Sequence, residues 1–170
     1  MQSNSIILGA VAIIVIVLVG FVISKSKVSA PPTDTQSVAT AATASMLTIP
    51  ETSYDFGNVS MAKGNVSRLY TLTNTSSSTI AFSKLFTSCM CTQAELTVGG
   101  QSYGPFGMPG HGAIPSINAA LAPGISATVE VVFDPTAHGP AGVGPISRSI
   151  YLESNGARVA ELTFKAMVTP

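Results

Sequence analysis

The sequence predicts an all-β protein, an antiparallel β-sandwich carried behind one transmembrane helix and a flexible linker. Three observations lead there. Residues Ile6 to Ile23 form an apolar run without a charge. Residues 26–46 are mostly Ser, Thr, Ala and Pro, with no bulky apolar periodicity. From Leu47 onward, apolar residues recur at every second position in short runs bounded by turn residues, and no amphipathic helix is present.

The apolar run approaches the about 20 residues that cross a bilayer as a helix. "MQSNS" ahead of it has no Lys or Arg, and the run is longer than the about 7–15 apolar residues of a secretory signal. Val28-Ser29-Ala30 has the small residues of a cleavage site, but Pro31 follows and suits cleavage poorly. A retained anchor over residues 1–25, with its helix at 6–23, is therefore expected. The stretch "SKVSAPPTDTQSVATAATAS" behind it cannot bury enough surface to offset the entropy of ordering, so it reads as a tether. Lys25 and Lys27 follow the span with nothing basic before it. Taken alone, they would hold the next domain in the cytoplasm.

The sandwich is expected over residues 47–170. "SRLYTLTN" (67–74) has strand composition, with Leu69 among its alternating apolar positions, and "TIAFSKLF" (79–86) follows the turn "TSSS". In "SATVEVVFDP" (126–135), Val129, Val131 and Phe133 alternate against Thr128, Glu130 and Val132. "SRSIYLES" (147–154) places Ile150 and Leu152 on one face. Asn155-Gly156 is a hairpin signal, and "VAELTFKAMV" (159–168) is the last strand, with Leu162, Phe164 and Ala166 on one side. Short strands at regular spacing pack as a sandwich. Two glycine- and proline-rich segments interrupt them, Val98–Ser116 and Asp134–Pro145. The first is expected to be irregular throughout. Each holds one of the chain's two histidines, His111 and His138.

Composition excludes several functions. Net charge is zero and only 9% of residues are charged, with no basic patch for nucleic acid. There is no G-x-S-x-G, H-E-x-x-H or phosphate-binding glycine loop, and no small-molecule substrate is evident. The acids are scattered, so catalysis is not expected. Asp134, before Pro135, is expected to cap a turn, with Arg148 as a candidate partner. Asn58, Asn65 and Asn74 each begin an N-x-S triplet, which a Ser/Thr-rich sheet produces by chance.

Cys89 and Cys91 are the only cysteines. In an extended strand both would face one side, with Cα atoms about 6.6 Å apart, at the edge of disulfide reach; a bridge would require the strand to curl. Three readings stay open: a disulfide, buried apolar filler, or a pair of metal ligands. The last needs less distortion than a bridge. Two thiolates with His111, His138 or the thioether of Met108 would suit Cu(I) or Zn.

The motifs "YDFGNV" (54–59), "YTLTNTSSSTIAF" (70–82), "TSCMCT" (87–92), "LAPGISATVEVVFDP" (121–135) and "SRSIYLESN" (147–155) resemble the bacterial domain-of-unknown-function family 1573. That family is an immunoglobulin-like sandwich related to the hydin-type (ASH) domains. Met90 stands where the family usually has glycine, and "GPFGMPGHG" (104–112) is longer than the common pattern. The resemblance implies an exported, often membrane-tethered domain. Together with the linker it favours an outward-facing sandwich on a single-pass anchor in the cell membrane. It implies no activity. Two functions follow. In the first, Cys89, Cys91, His111, His138 and Met108 bind Cu(I) or Zn. In the alternative, the sandwich surface contacts another envelope protein without metal, as related modules do in assembly.

Overall fold

A computed structural model describes residues 46–170. The expected anchor, its helix at 6–23 and the linker up to residue 45 lie outside the described residues. Among the described residues no helix is long and apolar enough to cross a membrane.

Ten strands follow in chain order: β1 (Leu47–Thr48), β2 (Ser53–Ser60), β3 (Val66–Asn74), β4 (Ile80–Thr87), β5 (Thr92–Val98), β6 (Gln101–Phe106), β7 (Ala119–Leu121), β8 (Ser126–Phe133), β9 (Gly144–Ser154) and β10 (Ala157–Thr169). They form two five-stranded sheets, ordered β1-β3-β8-β5-β6 and β2-β10-β9-β4-β7. All pairings are antiparallel except β2 with β10, which is parallel. The purely antiparallel expectation is corrected at that one pair. The chain leaves the first sheet after β1, passes Pro50 and joins the second sheet beside its last strand, running the same way.

The strands form where period-2 alternation is cleanest. Val129, Val131 and Phe133 of β8 are buried, as are Ile150 and Leu152 of β9 and Leu162, Phe164 and Ala166 of β10. These inner faces pack as one core with Leu72, Phe82, Leu85 and Leu96. In β3 the inward set is Tyr70 and Leu72; Leu69 is 60% exposed, which corrects its expected role. A side chain's face follows parity along the strand, and one step in register reverses every side chain. Asn155 (φ 50°) and Gly156 (φ 77°) make the β9–β10 hairpin turn, as their positive φ requires.

The segment 98–116 is not irregular throughout. Its first half belongs to the hairpin β5–β6, with Val98 opposite Gln101 and Leu96 opposite Tyr103. Gly104 makes this possible: a Cβ there would lie 2.9 Å from the Ala94 carbonyl oxygen. Its glycine composition masks a strand that needs glycine for close approach.

Candidate functional site

The cysteines lie not in a strand but in the turn joining β4 of one sheet to β5 of the other. The Thr92 N–H donates to the Cys89 carbonyl at 3.1 Å. The buried Thr87 hydroxyl reaches the carbonyls of Cys89 and Thr92, each at 3.0 Å. The Asp134 N–H donates to the Cys91 carbonyl at 2.9 Å, tying the turn to the end of β8. This curl brings the Cα atoms to 5.3 Å, and the two sulfurs are bonded as a disulfide. The extended-strand expectation of about 6.6 Å is corrected, because the chain must turn here to change sheets.

Each sulfur has a polar neighbour. Cys89 Sγ lies 3.2 Å from His138 Nε2 and accepts the Cys91 N–H at 3.3 Å. Cys91 Sγ accepts the Arg148 Nε–H at 3.3 Å. Arg148 has the inward parity of Ile150 and Leu152 on β9. Its guanidinium also donates to the Ser147 carbonyl at 2.8 Å. The expected Asp134–Arg148 pair is therefore replaced: Asp134 caps its own turn, accepting from the Thr136 N–H at 2.8 Å and hydroxyl at 2.6 Å, while Arg148 serves the disulfide. His138 is exposed and precedes the 3-10 turn Gly139–Gly142. A Cβ at Gly142 would come within 3.2 Å of the His138 Cβ, so the loop packs closely behind the imidazole.

Of the five residues expected to bind metal, three converge: the donor atoms of Cys89, Cys91 and His138 lie within 4.8 Å of one another. His111 is not in that cluster. It lines a separate cleft of about 370 Å³ with Met108, Met90 and Phe106, and its N–H closes a turn onto the Met108 carbonyl at 3.2 Å. Bridged sulfurs carry no thiolate charge, so the oxidised pair does not fit a Cu(I) or Zn site, whose ligands are thiolates. Sequence spacing alone gave no means to separate His138 from His111. Arg148 was missed as a neighbour of the sulfurs, and the one available signal was a cation at an inward position of a strand.

Two sheets with this strand order define the class, an immunoglobulin-like β-sandwich. Residues 47–100 match the family model described as "Protein of unknown function (DUF1573)", so the resemblance read from the motifs holds over β1 to β5 and the cysteine turn. No curated protein matches the chain. Among solved structures, a protein of unknown function from Porphyromonas gingivalis W83 is 15% identical, with a TM-score of 0.50, over 72% of this chain and 46% of that one. The present chain thus spans less than half of that protein's length, and the likeness is one of fold. The ASH/PapD-like domain 7 of human CEP192 is 11% identical, with a TM-score of 0.42, over 73% of this chain and 85% of that one. A C. elegans MSP family member, WR4, is 13% identical, with a TM-score of 0.40, over 73% and 98%.

Proposed function

We propose that the protein is a membrane-tethered, outward-facing contact module whose sandwich holds an uncharged, extended segment of another envelope protein. The carrying observation is the cleft beside β6. Met90, Gln93, Pro105, Phe106, Met108 and His111 are among its walls, and no Asp, Glu, Lys or Arg lines it. The cleft is concave and free of charged side chains, which suits an uncharged occupant. β6 ends its sheet, so its outer edge offers backbone groups to an added strand. Export is supported by the Cys89–Cys91 bridge, since disulfides persist in oxidising compartments. The test is a photo-crosslinking residue at Met108, with one at Asp55 on the β2 edge as reference, in membranes holding the full chain. A discrete adduct from position 108, lost on Phe106→Asp, is expected. No adduct, or the same adduct from position 55, would overturn the reading. Protease added to right-side-out vesicles should remove the sandwich; protection would overturn the orientation.

Metal binding is the second reading, favoured by the three converging donors. It applies to the reduced chain alone, in which two thiolates and the His138 imidazole would hold Cu(I) or Zn. Its test is retention of either ion by the reduced full chain through desalting, compared with the oxidised chain.

A further inference from the structure

The Cys89–Cys91 bridge connects nothing that the fold does not already hold. It closes a loop across a single intervening residue. So short a loop restricts the unfolded chain far less than the longer loops that structural disulfides close. The turn is held independently by the Thr87 hydroxyl and the Asp134 N–H. A bridge with little to stabilise is nonetheless flanked by a cation at one sulfur and, at the other, an exposed imidazole and a backbone N–H.

We propose that this bridge is a thiol–disulfide exchange site for a dithiol partner, with Cys89 as the sulfur attacked and Cys91 as the leaving group. Cys89 is the more accessible of the two, at 7% exposure against 2%, and it sits beneath the exposed His138. Cys91 lines a small cleft, but it shares it with Asp134, whose negative charge disfavours an approaching thiolate. Arg148 is placed to stabilise negative charge on Cys91 Sγ, as cations beside a thiol favour the thiolate.

The exchange runs in two displacements. The partner's first thiol gives its proton to His138 Nε2, and its sulfur attacks Cys89 Sγ. The Cys89–Cys91 bond breaks and its electron pair leaves on Cys91 as a thiolate beside Arg148. The partner's second thiol then attacks the partner sulfur of the mixed disulfide. That bond's electron pair leaves on Cys89, which takes the second thiol's proton. The partner dithiol is oxidised to a disulfide and the bridge is reduced. One proton ends on Cys89 and one on His138, opposite the Cys91 thiolate. The exchange is stoichiometric and reversible.

The test is the rate at which the bridge of the folded full chain, in detergent, is reduced by dithiothreitol and by a reduced C-x-x-C peptide. The expected rate exceeds that of global unfolding and falls roughly tenfold in Arg148→Met and in His138→Asn, as loss of a hydrogen bond to a charged group would give, with unchanged thermal melts. Equal rates with both probes assign a protein dithiol, and reduction by dithiothreitol alone assigns a small one. Glutathione, trapped by acid quench and mapped by mass, should be found on Cys89. Reduction only as fast as unfolding, variants that react like the parent, or glutathione on Cys91 would each overturn the proposal.

Discussion

The phenol of Tyr70 donates a 2.7 Å hydrogen bond to the carbonyl oxygen of Thr163, joining β3 of one sheet to β10 of the other across the core. Tyr70 is buried, and burial pushes its pKa up to about 12, with Arg68 acting in the opposite direction. A Tyr70→Phe variant keeps the ring and loses the bond, which should lower stability by about 1–2 kcal/mol. A lower urea midpoint with an unchanged m-value would show it.

The same pair predicts a pH dependence. In the unfolded chain the phenol ionises near its ordinary value of 10.0, and in the folded chain only near about 12. Folding therefore retains the proton. The contribution is whole below pH 10 and is lost as pH rises from 10 to about 12. Urea midpoints of the parent should fall across that window more steeply than those of Tyr70→Phe; parallel curves would exclude Tyr70 as the cause.

Asn74 is fully buried, although it begins an N-x-S triplet. Its side-chain amide donates to the carbonyls of Ser78 and Leu121, each at 2.8 Å, and its oxygen accepts from the Ser76 N–H and hydroxyl. It thereby pins the β3–β4 turn to β7. Asn74→Ala leaves two carbonyls without these donors and should cost roughly 2–3 kcal/mol. In a glycosylating host, sugar is expected at most on the exposed Asn58 and Asn65, which glycopeptide mapping would check.

Legibility in the sequence tracked local periodicity. β8, β9 and β10 alternate cleanly because each buries one face and exposes the other, so Val129, Ile150 and Phe164 announce themselves. β6 did not, because "QSYGPF" carries the glycine that its close approach to Ala94 demands. The cysteine turn was hidden for another reason. Its curl is imposed by Thr87 and by Asp134, just past the end of β8, and no spacing between residues 89 and 91 encodes that. His138 and His111 occupy similar glycine-rich loops, and tertiary placement alone distinguishes them.

Gly104 supplies a direct test of the hairpin. At φ +130° with the Ala94 oxygen 2.9 Å from where a Cβ would lie, Gly104→Ala must strain the backbone or separate β5 from β6. A loss of roughly 2–3 kcal/mol is expected, with faster amide exchange across Leu96–Tyr103. A Cβ at Gly107 would meet open space, and Gly107→Ala should change stability by less than about 0.5 kcal/mol.

The cysteine pair should matter little for stability, and its redox state should decide whether any ion is retained. Cys89→Ala/Cys91→Ala removes a cross-link across one residue, a change of roughly 1–2 kcal/mol. Phe164→Ala, in the centre of the core, should cost roughly 3–5 kcal/mol. If the double variant were as damaging as Phe164→Ala, the bridge would be a structural staple. Ion retention separates the same residues differently. The oxidised chain should hold neither Cu(I) nor Zn through desalting, because its sulfurs are bonded to each other. Any ion held by the reduced chain should depend on Cys89, Cys91 and His138, whose donors lie within 4.8 Å, and should be unaffected by Met108→Ala or His111→Ala. Retention that instead follows Met108 and His111 would move the metal to the cleft beside β6.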